Sequence, residues 1–234
     1  MKIATLNIDW AGKAKSKSHF RKIEAFLNAQ DFDFLVLTEA INLELKNFEY
    51  KYFTEQIPED VIYEDLDYTK YLNGEKAFRT VVYSKTACKK RYKVADEKTS
   101  LALAFETKFG EIILYTTIIG TWFKKQPFAQ KELENCIKDC KLISKENKNL
   151  CIIGDLNTSF LKNEEDYTIS TETSQSLKNL FSELELINVT ENLKQNIDHI
   201  VIPKALKRNI KGVKVFVEKN VLSDHKGVWV ELLR

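Results

Sequence analysis

Five times along this chain an apolar run meets a side chain able to bind a cation or carry a proton. Asn7 lies within KIATLNI, Glu39 directly follows FDFLVLT, and Asp155 and Asn157 follow LCIIG. Asp198 and His199 open the run HIVIP, and Asp224 and His225 precede GVWVELL. A carboxylate at the end of a buried strand is costly unless something pairs with it. Asp155 and Asn157 are two positions apart, so an extended segment turns both side chains to one side. Two readings stay open for them: a pair facing a cation and a phosphate, or caps of the turn into residues 158–172. Hard divalent cations such as Mg²⁺ choose carboxylate and amide oxygens, and Glu39, Asp155, Asn157 and Asp224 offer that set. Zinc would require cysteine and histidine together. The cysteines at 88, 136, 140 and 151 form no CxxC and read as reduced, buried thiols. Of the three histidines, two follow an aspartate at a strand boundary, whereas His19 sits at a helix start and reads as a surface residue. An imidazole held by a carboxylate can exchange protons with a phosphate oxygen. Oxygen-liganded metal beside such a pair is equipment for cleaving phosphate esters with water.

These groups need elements to carry them. The 234 residues are 44% hydrophobic, enough for one core, and no repeat or composition break divides them, so a single domain over 1–234 is expected. Frequent aromatics with 7 Gly and 3 Pro exclude a disordered chain. The net charge of +2 excludes a protein that coats nucleic acid through bulk charge. Two basic runs, KKRYK at 89–93 and KALKRNIKGVK at 204–214, are either local basic surfaces or solvated faces. The N-terminus has no signal-peptide pattern, and no segment reaches the roughly 20 apolar residues of a membrane span. A cytoplasmic location is therefore expected. Short strand-like runs occur at 2–8, 32–38, 78–84, 100–107, 111–119, 150–155, 197–203, 213–217 and 227–233, and the KFG between the fourth and fifth signals a hairpin. Helical stripes occur at 18–30, with Ser18 as N-cap, at 128–145 after Pro127, and at 173–185. Helices scattered among many strands without strict alternation predict an α+β fold, two sheets packed face to face with helices outside.

Taken in order, TLNID, LTEA, IIGDLN, NIDHIVI and LSDHKGVWVEL resemble the endonuclease/exonuclease/phosphatase superfamily, from residue 5 to near the C-terminus. The resemblance implies a four-layer α/β/β/α sandwich of two mixed sheets flanked by helices. It also implies a Mg²⁺- or Mn²⁺-dependent hydrolase of phosphodiesters or phosphomonoesters. By the same resemblance Glu39 binds the metal, Asn7 supports metal and phosphate, and Asp224 is a second metal-site carboxylate. Asp155 aligns or deprotonates the attacking water, and Asn157 contacts the phosphate. Asp198 orients His225, the catalytic histidine. His199 would alternate away from Asp198 along a strand and reads as structural.

The sequence also departs from that pattern. Where many members carry a histidine in a strand reading N-T-H-L, this chain has Ile118 or, by a one-residue slip, Thr117. Ile41 stands where a basic residue often follows the metal glutamate, and Arg79 is either its replacement on the phosphate or a surface strand residue. The expected activity is a phosphodiesterase cleaving DNA. The alternatives are a phosphatase or phospholipase-like esterase on a small or lipid phosphate, and a non-catalytic binding protein that kept the fold. Substrate choice would rest on the loops at 41–77, 120–127 and 158–172. Trp122 and Phe123, beside Lys124 and Lys125, are placed to stack on a base, touch a lipid surface or serve as core and rim.

Overall fold

Two βαβ units build the centre of the molecule, and both aim their strand ends the same way. In the computed structural model residues 1–10, 16–56, 62–63, 66–67, 77–121, 124 and 128–234 are described. β1 (Lys2–Asn7) runs through α1 (Lys17–Asn28) into β2 (Phe34–Ile41), its parallel neighbour. β3 (Tyr50–Phe53), the short hairpin β4 (Ile62–Tyr63) and β5 (Leu66–Asp67), β6 (Ala77–Ser84), β7 (Cys88–Tyr92) and β8 (Leu101–Thr107) follow. β9 (Gly110–Ile118) then runs through α2 (Phe128–Glu146) into β10 (Leu150–Asp155), again in parallel. A parallel pair needs a long crossover, and the helices provide it. α3 (Thr171–Glu183), β11 (Leu186–Asn188), β12 (Asp198–Pro203), β13 (Ile210–Val217) and β14 (Gly227–Leu232) complete the chain.

The strands form two mixed six-stranded sheets, ordered β13-β14-β1-β2-β6-β3 and β11-β12-β10-β9-β8-β7. Alternation along each strand divides the core into three slabs. Ile3, Val36, Leu114, Ile153, Ile200 and Val228 fill the space between the sheets. Ile23 and Leu27 of α1 cover Leu6, Leu35 and Val81 on the outer face of the first sheet. Cys136, Cys140 and Leu177 of α2 and α3 cover Ile113, Tyr115 and Ile152 on the outer face of the second. This is the four-layer α/β/β/α sandwich that the resemblance implies, with helices on both outer faces.

Local details depart from the sequence expectation. α1 is capped by Ser16, whose Oγ accepts from the His19 N–H at 3.3 Å, so the helix starts before Ser18. The basic run at 89–93 lies largely in the edge strand β7, where Lys89 pairs with Glu106 at 3.0 Å and Lys90 with Glu146 at 2.6 Å. Lysine on an edge strand discourages edge-to-edge pairing, and here acids balance its charge. Pro127 lies outside the described residues. Among the described residues no helix is long and apolar enough to cross a membrane.

Candidate active site

Asp155 closes β10 on the face turned toward the other sheet. The preceding Gly154 has φ +136, and a Cβ there would sit 2.1 Å from the Thr117 carbonyl oxygen of β9. Only glycine lets the two strands approach so closely just before the aspartate. Asp155 is fully buried and well held. Its Oδ1 accepts from the Asn157 backbone N–H at 2.9 Å, and its Oδ2 accepts from Asn7 Nδ2 and Asn157 Nδ2, both at 3.0 Å. Asn157, with φ +45, also donates from Nδ2 to the carbonyls of Ile119 and Gly120, at 3.1 and 3.3 Å. The amide that the resemblance turns toward a phosphate thus directs its N–H groups to Asp155 and to backbone.

Asn7, at the end of β1, bridges two acids: its Nδ2 reaches Glu39 Oε1 at 3.1 Å as well as Asp155, while its Oδ1 accepts from the Asp9 N–H at 2.8 Å. Glu39 lies inside β2 rather than after it. Strict alternation would turn it to the helix side, because Phe34 and Val36 face the other sheet. Glu39 has φ +45, and the pairing of β2 with β6 passes from Thr38↔Thr80 to Ala40↔Phe78 without a pair for it. This left-handed residue swings the carboxylate back toward Asn7. Non-glycine residues in that region cost energy and cluster at functional sites.

The two Asp-His dipeptides cross-pair. Asp198 stands opposite Asp155 in the antiparallel register of β12 and β10. Its Oδ2 lies 2.7 Å from His225 Nδ1, and the same nitrogen is 4.0 Å from Asp155 Oδ2. Asp155, Asp198 and His225 form one cluster, with a ligand atom of each within 4.8 Å of the others. Asp224 stands on the rim, its side chain 60% exposed and its Oδ1 4.0 Å from His225 Nε2. His199 points to the opposite face and is fully buried, with Nδ1 at 3.0 Å from Asn188 Nδ2 and 2.9 Å from Thr190 Oγ1, and Nε2 at 2.9 Å from the Thr158 carbonyl. His19 ties α1 to the loop that carries His225, its Nε2 lying 2.8 Å from the Leu222 carbonyl.

Burial sets the protonation of the cluster. It lifts Asp155 to about 8, a rise resisted by His225 and reinforced by Asp198 and Glu39. It also raises Glu39, against the pull of His225 and Asn7. For His225 burial opposes the charge, yet Asp198 and Asp155 outweigh it and lift the imidazole to about 10. His199 is lowered by burial to about 4, its Thr158 and Asn196 backbone contacts resisting the fall. Asp198 Oδ1 is buried with no partner among the described residues. This orphaned oxygen, together with the carboxylate oxygens of Glu39 and Asp224, is the type of donor that a hard divalent cation takes.

Arg79 is not at this cluster. It is 3% exposed, and its Nη1 donates to Thr99 Oγ1 at 2.6 Å and to Glu132 Oε1 at 3.2 Å. Neither sequence reading, phosphate contact or surface strand residue, describes it. Glu132 had no place in the sequence reading of the site. The available signal was its position on the buried stripe of α2, with Ala129, Leu133, Cys136 and Cys140. At the departure in β9, Ile118 pairs with Asp155 and is fully buried, whereas the Thr117 hydroxyl lies 2.8 Å from Ser100 Oγ. The strand residue beside Asp155 is therefore apolar. Trp122, Phe123, Lys125 and most of the loop at 55–77 lie outside the described residues.

By sequence the chain matches no protein-family model and no curated protein. By structure it is similar over its whole length to the 3′ phosphatase NExo from Neisseria bound to a product DNA hairpin, with a TM-score of 0.71, 14% identity and 100% of both chains covered. An endonuclease/exonuclease/phosphatase from Beutenbergia cavernae has a TM-score of 0.66 at 16% identity, covering 98% of this chain and 70% of that one. The endonuclease domain of TRAS1, a telomere-specific non-LTR retrotransposon, has a TM-score of 0.61 at 14% identity, covering 100% and 98%. The chain therefore has the endonuclease/exonuclease/phosphatase fold.

Proposed function

We propose that this protein is a divalent-metal-dependent phosphoester hydrolase acting on DNA, cleaving a phosphodiester by in-line attack of water. The observation that carries the reading is the convergence of Asp155, Asp198 and His225, drawn from three separate strand boundaries into one cluster. Glu39 and Asp224 would hold Mg²⁺ or Mn²⁺, with Asn7 orienting Glu39. Bound there, the cation would polarise the phosphate and offset its charge. Asp155 takes the proton of the attacking water, and its carboxylate is aimed by Asn7 and Asn157. His225 stays cationic because Asp198 holds Nδ1–H, which leaves Nε2–H to stabilise charge on a phosphate or leaving oxygen. Asn157 and Asp198 act through Asp155 and His225.

A second reading, hydrolysis of a terminal phosphate on DNA, is favoured by the likeness to a 3′ phosphatase bound to a DNA hairpin. The same residues would serve it. The test is a panel of plasmid, plain and 3′-phosphorylated DNA hairpins, single-stranded RNA, inositol phosphates and sphingomyelin, each with Mg²⁺, Mn²⁺ or EDTA. Metal-dependent cleavage of a DNA substrate, reduced about a thousandfold by Asp155→Ala and by His225→Ala, is the expected result. Cleavage of only the lipid or inositol substrates would move the reading to that class. No cleavage in any arm would leave a binding protein on an inherited fold.

A further inference from the structure

A buried carboxylate and a buried guanidinium, both outside the proposed machinery, meet beside the loop that holds Asn157. Glu132 projects from α2 back to the exit of β9. Its Oε2 accepts from the backbone N–H groups of Gly120 and Thr121, at 2.6 and 3.0 Å. Its Oε1 accepts from Thr121 Oγ1 at 2.6 Å and from Arg79 Nη1 at 3.2 Å. Four donors fill the acceptor capacity of one carboxylate, and both charged side chains are about 4% exposed. The loop clamped in this way presents the Ile119 and Gly120 carbonyls to Asn157 Nδ2. Asn157 in turn binds both carboxylate oxygens of Asp155. The contacts run without a break from β6 of one sheet, through α2 and the 119–121 loop, to the end of β10 in the other.

We infer that Glu132 and Arg79 are a positioning pair that fixes the 119–121 loop, and through it Asn157 and the aim of the Asp155 carboxylate. The inference rests on the reading of Asp155 as the group that receives the proton of water. A carboxylate is well suited to this task, because it alone accepts from two adjacent backbone N–H groups and a hydroxyl at once. Burial raises the Glu132 carboxyl and the Arg79 guanidinium opposes that rise, and the same Nη1 that reaches Glu132 also donates to Thr99 Oγ1.

The test uses Glu132→Gln, which leaves an N–H₂ group facing N–H donors, and Thr121→Val, which removes one hydroxyl without stranding a charge. The paired variant Arg79→Met with Glu132→Gln guards against failure to fold. Two readouts are taken on each folded variant: kcat and KM on the best substrate, and the Asn157 side-chain amide signal in a ¹⁵N correlation spectrum. Glu132→Gln should lower kcat about tenfold to a hundredfold with KM nearly unchanged, and shift the Asn157 signal. Thr121→Val should do both to a smaller degree. A lower melting temperature with kcat and the Asn157 signal unmoved would overturn the inference and leave a purely structural ion pair. If the wild type hydrolyses nothing, the functional reading fails, and the Asn157 signal alone still decides whether the pair fixes that side chain.

Discussion

Asp198-His199 and Asp224-His225 are one dipeptide set at two strand boundaries, and the fold uses opposite halves of it. Asp198 is fully buried against His225, while the side chain of its counterpart Asp224 is 60% exposed. His225 faces three acids and is held charged, while His199 faces one hydroxyl, an amide and a carbonyl and is held neutral. Pleat explains the first dipeptide. Adjacent residues in β12 point to opposite faces, so Asp198 enters the space between the sheets and His199 packs on the outer side, edge-on to Phe160. Loop geometry explains the second. His225 precedes β14 and turns inward under the loop that His19 anchors. Residue type therefore says little about an Asp-His pair until the face of the strand is known.

The comparison breaks most visibly at Asp198. Asp198→Asn keeps the shape but removes the charge that holds the imidazolium, so turnover should fall by about 10²–10⁴ and the melting temperature should drop as well. Normal rates in that variant would remove the functional half of the contrast. His199→Ala should cost stability but spare turnover. It empties a buried site and strands Asn188, Thr190 and the Thr158 carbonyl. Denaturant titration should show a loss of about 3 kcal/mol, with kcat within a few-fold of wild type.

The same histidine sets a pH window. His199 has a folded pKa of about 4 against an ordinary 6.5. Between those values the unfolded chain binds more protons, so the stabilisation is full above pH 6.5 and is lost as pH falls through 4. About 3 kcal/mol should disappear across that range, read from unfolding curves of the wild type and absent from His199→Gln. The smallest effect is expected at Asp224. Because its side chain is exposed, Asp224→Asn should change stability by no more than about 0.5 kcal/mol. As a proposed cation ligand, it should raise the Mg²⁺ needed for half-maximal rate about tenfold.

Much of this arrangement is legible in the sequence, and the gaps have physical causes. The strands at 150–155 and the helices near 128–145 and 173–185 follow from apolar periodicity, within two residues at their starts and ends. The five motif segments do meet, with Asn7, Glu39, Asp155 and Asn157 in one hydrogen-bonded group and Asp198 and His225 beside it. Periodicity does not reveal how Glu39 reaches that group, because a left-handed backbone angle overrides alternation. Nor does it distinguish a buried Arg79 from an exposed one, since its partner Glu132 lies far along the chain on another element. An acid on the apolar stripe of α2 is the one trace of that partner, and Asp139 repeats it, accepting from the Ala95 N–H and the Tyr115 hydroxyl. β3 and β7 escaped because edge strands rich in lysine and tyrosine lack the alternation of half-buried ones.

The most direct test places both histidines in one sample: a nuclear magnetic resonance titration of the imidazole nitrogens in metal-free protein from pH 4.5 to 9. Convergence of Asp155 and Asp198 on His225 predicts a ring that remains an imidazolium past pH 8, alongside a His199 ring that is neutral above about pH 5. If both rings instead titrate together near 6.5, the acids do not surround His225, and the proposed centre does not exist in solution.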